Sequence, residues 1–186
     1  MRARFIKYLL ILLLMAWSNY LAAQNKGVRQ FRISESADAV KIITLFKNNQ
    51  GYIYVGTSKG LYKFDGIKFN LIPFKNPVAE PSITAIFQDD KNKLWVGLQT
   101  GDIATLDGNH LNFFLPEEGT PKKPITAFLQ DQQKNIWFST DGEGVYYFSG
   151  KRLYRIDTGD GLAESGISSI TLTANNEVLA TSDQGI

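Results

Sequence analysis

Past residue 40 the apolar positions fall in short alternating runs, each closed by a polar or glycine-containing turn. Ile83-Thr84-Ala85-Ile86-Phe87 alternates and is rich in β-branched residues, so it reads as a strand. Asp89-Asp90-Lys91-Asn92 follows as a turn, a setting Asp and Asn favour because their side chains bond the nearby backbone. Residues 94–98 form a second apolar run, 99–102 a second turn and 103–106 a third run. Asp107-Gly108-Asn109 is a strong hairpin signal, and 111–115 supplies a fourth strand. No helical periodicity follows residue 23, so the expected class is all-β.

The whole pattern recurs. Segments 42–66, 83–108 and 125–150 align on Tyr54, Trp95 and Trp137, spaced 41 and 42 residues apart, and a fourth copy over 167–186 puts Leu179 another 42 further on. Four antiparallel strands in roughly 40–45 residues is the period of a β-propeller blade. The expected architecture is an incomplete β-propeller of four-stranded antiparallel blades at about 40–75, 82–115, 124–157 and 166–186, the last one partial. Residues 27–33 resemble the fourth-strand segments that begin at Gly66, Gly108 and Gly150, so 28–33 is expected to be a lone closing strand. The count comes to about three and a half blades, where rings have about 4–8, and the partial β-propeller domain over 24–186 is expected to belong to something longer.

The N-terminus is written differently. Arg2, Arg4 and Lys7 precede ten apolar or aromatic residues (8–17), and Leu21-Ala22-Ala23 offers small residues for cleavage. This is the pattern of an export signal over 1–23, and ten residues fall short of the roughly 20 needed to span a bilayer. The signal alters the charge reading. Of 20 basic and 18 acidic residues, three basic ones lie in 1–23, which leaves 17 against 18, a net charge of −1. Nucleic acid is therefore not an expected partner. With no cysteine, disulfides, thiolate nucleophiles and Cys-ligated zinc are excluded, and the single His110 excludes two-histidine chemistry within the chain.

The repeated strings Ile83-Thr84-Ala85-Ile86-Phe87-Gln88-Asp89 with Leu94-Trp95-Val96-Gly97, and Ile125-Thr126-Ala127 with Ile136-Trp137-Phe138-Ser139-Thr140-Asp141-Gly142, resemble the two-component regulator propeller family. Tyr54-Val55-Gly56-Thr57 with Gly60-Leu61-Tyr62 is similar with Tyr for Trp, and the fourth copy has Leu179 in that place. The resemblance spans 28–186. It implies an exported sensory propeller, periplasmic or at the cell surface, of the kind that precedes a triple-tyrosine module, a membrane span and a kinase or DNA-binding output. None of those parts is visible in this sequence, so membrane attachment and any kinase activity would belong to a further C-terminal part.

Tyr54, Trp95, Trp137 and Leu179 are expected to be structural anchors packed between blades. A position repeated in every blade answers the blade's needs more economically than those of one ligand. By the same reasoning Asn48, Asp89 and Asp131 are expected to cap turns, and 157–161 lacks the spacing of a calcium loop. No metal and no cofactor are expected. Function is expected in the variable connections, with Lys59, Gln99, Asp102, Asp141 and Glu143 lining the central mouth. The expected ligand is a small molecule or oligosaccharide, or another exported protein. The alternatives are an exported carbohydrate- or protein-binding scaffold without signalling output and, behind it, a propeller lyase or glycosidase. Open blade edges are expected to favour self-association and poor solubility.

Overall fold

The computed structural model describes residues 30–33, 40–77, 81–150, 152–183 and 185. The chain divides into Met1–Phe31 and Arg32–Ile186, and every described strand lies in the second unit. The leader expected over 1–23 lies outside the described residues, as do residues 28 and 29 of the expected closing strand, while residues 30–33 form no ladder.

The second unit is all-β, an incomplete β-propeller of four-stranded antiparallel blades. Blade 1 comprises β1 (Ile42–Lys47), β2 (Ile53–Thr57), β3 (Gly60–Phe64) and β4 (Phe69–Ile72), and blade 2 comprises β5 (Ile83–Gln88), β6 (Leu94–Leu98), β7 (Ile103–Asp107) and β8 (His110–Phe114). Blade 3 comprises β9 (Ile125–Gln130), β10 (Ile136–Thr140), β11 (Gly144–Ser149) and β12 (Arg152–Ile156). Blade 4 has β13 (Ile167–Leu172) and β14 (Val178–Ser182) among the described residues. Within each sheet the strands pair in chain order, as hairpin-linked strands must. The first strands β1, β5, β9 and β13 neighbour one another in succession and so form the inner layer.

Each first hairpin is closed by the same device. Asn48 and Asp89 accept the backbone N–H four residues on through Oδ1, at 2.8 Å in both cases, Asp131 does so at 2.8 Å, and Thr173 does so through Oγ1 at 3.1 Å. The fourth residue of each turn takes a left-handed backbone, at φ 89° in Gly51, 64° in Asn92, 71° in Lys134 and 64° in Asn176. Gly and Asn suit that conformation and Lys does not.

Among the described residues the core is not one mass but three clusters, one at each junction between neighbouring blades. The leading face of blade 1 (Phe46, Tyr54, Leu61, Ile72) meets the trailing face of blade 2 (Ile83, Leu94, Val96, Leu111). Trp95 and Ile103 then meet Ile125, Ile136 and Phe138, and Leu129 and Val145 meet Ile167 and Ile170. Glycine permits the closest approaches. A Cβ on Gly56 would lie 2.8 Å from Ile83 Cγ2, and one on Gly97 would lie 2.5 Å from Ile125 Cβ. Burial of the anchors follows coverage: Tyr54 and Trp95 are buried, Trp137 is half-buried against the two strands of blade 4, and Leu179 is exposed.

A polar latch repeats beside each junction. The Gln88 side chain accepts from Asn49 N (2.9 Å), Gln130 accepts from Asp90 N (2.9 Å), and Asn176 accepts from Gln132 N (3.0 Å).

Candidate functional site

Each inner strand carries a β-bulge at its second residue, so that position 43, 84, 126 or 168 stands out of register with the neighbouring strand. A bulge re-aims a side chain that regular pleating would direct elsewhere. Blade 1 has Ile43 there, but blades 2, 3 and 4 have Thr84, Thr126 and Ser168. Thr84 Oγ1 donates to Gly97 O (3.1 Å) and Ser168 Oγ to Thr181 O (3.0 Å). Thr126 Oγ1 donates across the junction to Ile167 O (2.6 Å), which leaves Ser139 Oγ as the donor in their 2.7 Å contact.

The turn after each second strand begins at Ser58, Gln99, Asp141 and Asp183. Its backbone is tied to the chain entering the inner strand, Gln99 N to Ser82 O at 3.0 Å and Asp141 N to Pro124 O at 2.9 Å. The turn residue is thereby brought beside the bulged hydroxyl of its own blade. The result is a cavity of about 600 Å³ lined by Thr84, Thr126 and Ser168, by Gln99, Asp141 and Asp183, and by Glu164, over a floor that includes Ile125 and Ile167. Its size falls within the range of about 300–1,000 Å³ typical of small-molecule sites. Its ionisable lining residues are all carboxylates. It therefore offers hydroxyl, amide and carboxylate groups to a polar ligand and repels anions.

Of the five residues expected to line one mouth, the structure brings Gln99 and Asp141 together in this cavity and puts the other three elsewhere. Lys59 is exposed beside a cavity of about 290 Å³ bordered by Leu71, Pro73 and Phe74. Asp102 accepts hydrogen bonds from Thr100 Oγ1 (2.7 Å) and Thr120 Oγ1 (3.2 Å). Glu143 accepts from Lys122 N (2.9 Å) and Tyr146 Oη (3.3 Å) in a cleft of about 330 Å³ also bordered by Tyr154 and Arg155. Burial pushes the Tyr146 phenol up to about 12, against the Arg155 guanidinium and with the help of Glu143. The separation has a simple cause. Gln99 and Asp141 open their turns, whereas Lys59, Asp102 and Glu143 come later in theirs and lie beside the loops between blades, at Pro81, Thr120 and Lys122. The bulged hydroxyls, Asp183 and Glu164 were not among the five; the signal for the hydroxyls was a Thr or Ser at the second position of the inner strand in blades 2 to 4.

The repeated acids act within their blades. Asp89 Oδ1 accepts from Lys91 N (3.0 Å) and Lys93 N (2.8 Å), and Oδ2 accepts the Trp95 indole N–H at 2.9 Å. Asp131 does the same for Trp137 at 2.8 Å. Burial pushes the Asp131 carboxyl up, but the hydrogen bonds from Trp137, Asn135 and the backbone outweigh it and hold the group below the usual carboxylate range. Asp157 and Asp160 cap their own 3-10 turn (Thr158–Asp160), Asp157 Oδ1 accepting from Gly159 N and Asp160 Oδ2 from Asp157 N. His110 is exposed at the start of β8, away from the central cavity.

Residues 119–142 match the family model described as the two component regulator propeller, a stretch that runs from the loop before blade 3 to Asp141 and Gly142. The chain thus carries that propeller repeat. No curated protein matches. Among solved structures, the extracellular domain of a putative one component system from B. thetaiotaomicron aligns with TM-score 0.72 at 18% identity, covering 87% of this chain and 23% of that one. The extracellular domain of a putative hybrid two component system from the same organism aligns with TM-score 0.67 at 21% identity, covering 84% and 23%. Virginiamycin B lyase from Staphylococcus aureus aligns with TM-score 0.62 at 9% identity, covering 82% and 56%. These likenesses show the fold, and the chain spans about a quarter (23%) of the length of those two extracellular domains.

Proposed function

We propose that this chain is the ligand-sensing part of an exported receptor, a periplasmic or cell-surface propeller module whose output step is carried by parts outside it. The observation that carries the reading is the position of the family match: residues 119–142 end on the turn that delivers Asp141 to the central cavity, beside Thr126 of the same blade. The fold likeness to sensor extracellular domains and the export pattern of residues 1–23 support it. The ligand is a small polar molecule or oligosaccharide held by the hydroxyls and carboxylates of blades 2 to 4. We read no enzymatic step into the chain, because a fold shared with a lyase carries no chemistry of its own.

The test is isothermal titration calorimetry of the full chain against neutral oligosaccharides, amino acids and amines. Saturable binding is expected, weakened about tenfold or more by Asp141→Ala and by Gln99→Ala, both exposed lining residues, at unchanged melting temperature. Binding that survives both changes would remove the central cavity from the reading. Turnover of any of these compounds, abolished by one carboxylate change, would replace the sensor with an enzyme.

A further inference from the structure

The junction between blades 1 and 2 follows the same plan as the junction between blades 2 and 3, but with smaller side chains. In the second, Trp95, Phe114 and Phe148 fill the space at the level of the anchor, their ring centroids 5.2, 6.2 and 4.7 Å apart in pairs. The cross-strand register gives their equivalents in the first as Tyr54, Ile72 and Leu106. Three aromatic side chains are thus replaced by a smaller ring and two aliphatic chains. The volume given up stays open, as a cavity of about 380 Å³ lined by all three. Protein interiors ordinarily fill such space, and the neighbouring junction shows that this repeat can.

Hydrogen-bond donors gather where the bulk is missing. Lys63 occupies the position of Thr105 in blade 2, directly opposite Tyr54 in the ladder. Its ammonium lies 3.5 Å from the centroid of the Tyr52 ring and 6.0 Å from that of Tyr54, and it takes part in no ion pair among the described residues. The indoles of Trp95 and Trp137 donate to the acids of their own turns. Tyr54 is only 5% exposed, yet its phenol makes no hydrogen bond among the described residues. No sealed side-chain polar atom there lacks a partner, so Tyr54 Oη opens onto the cavity its ring lines. Burial, and then the Tyr52 phenol, push the Tyr54 group up, which keeps it protonated and able to donate. The exposed Asn109 and His110 add an amide and an imidazole, and no carboxylate is among the described lining residues.

We propose that this cavity is a second binding site, for a small carboxylate with an apolar body. The carboxylate sits between the Lys63 ammonium and the Tyr54 phenol, one donor for each oxygen, and the body lies against Leu71, Ile72 and Leu106. A single ammonium matches a single negative charge, and charge-assisted hydrogen bonds are the strong ones. The volume is within the range of about 300–1,000 Å³ typical of small-molecule sites. The central cavity is lined by carboxylates, so the two select ligands of opposite charge. The inference rests on the departure of blade 1 from its own repeat and stands apart from the sensing reading.

The test is calorimetric and ligand-observed NMR titration of the full chain with sodium benzoate, beside benzamide as its neutral counterpart. Saturable benzoate binding is expected, about tenfold or more tighter than benzamide. Lys63→Met should weaken benzoate about tenfold or more and bring it level with benzamide. Tyr54→Phe, which keeps the ring and removes the donor, should also weaken it. Leu106→Phe restores one ring of the filled junction and should abolish binding while the chain still melts cooperatively. Lys91→Met removes an exposed lysine outside the cavity and should change nothing. Absence of saturable benzoate binding, equal affinity for benzamide, or binding that survives Lys63→Met or a folded Leu106→Phe each overturns the proposal.

Discussion

Asp89→Asn changes one atom and removes one function. In the wild type Oδ1 caps the turn through the N–H groups of Lys91 and Lys93, while Oδ2 accepts the Trp95 indole at 2.9 Å. Both residues are buried, so neither has water to fall back on. An amide has one acceptor and one donor, and whichever way it turns, an –NH₂ faces an N–H. Leaving a buried donor unsatisfied costs about 1–3 kcal/mol, which at roughly 2–4 °C per kcal/mol for a chain of this size is a clear fall in melting temperature. The decisive measurement is a double-mutant cycle with Trp95→Phe by denaturant unfolding. Phe has no indole donor, so the Asn variant in that background should lose about 1 kcal/mol less than in the wild type. Blade 1 already shows the compatible pair, Asn48 with Tyr54. Additivity of the two changes to within about 0.5 kcal/mol would refute the pairing as the reason the acid is there.

Three further outcomes follow from the same geometry. Gly97→Val should cost about 1–3 kcal/mol, since the Cβ has no room against Ile125, and calorimetry should find it worse than the same change at Gly166, where a Cβ would meet only Asp141 Oδ1 at 3.7 Å. Lys134→Gly should raise stability by up to about 1 kcal/mol by relieving the 71° φ, set against the loss of an exposed ion pair with Asp90 that contributes little. Acid should also weaken the fold. The Asp131 carboxyl is held low, so its contribution is present above the unfolded carboxylate value of about 3.9 and lost as pH falls through the lower folded value. A melt series from neutral to acidic pH should show a shallower decline for Asp131→Asn than for wild type.

The blades were legible because each repeats the same solution to the same problem. Alternation, turn residues and the 41–42 spacing of Tyr54, Trp95, Trp137 and Leu179 each pointed to one architecture. The site was legible in part. Gln99 and Asp141 come together because they open their turns; Lys59, Asp102 and Glu143 sit in turns of the same kind but later or in other blades, and periodicity does not say which turn residue faces inward. The bulge that aims Thr84, Thr126 and Ser168 is a shift of ladder register, which no single-residue propensity encodes. The indole partner of Asp89 and Asp131 was present in the sequence as a co-occurrence, acid with Trp and neither alone.

Dividing the interior into three separate clusters gives the molecule the behaviour of a short chain of coupled springs rather than of a single droplet. Energy is held between nearest neighbours, so damage at one link leaves distant links intact. Melting should start where a unit has one neighbour instead of two and travel inward. Limited proteolysis during gentle heating would then shed β13–β14 first and leave the Trp95 link as the final resistant piece.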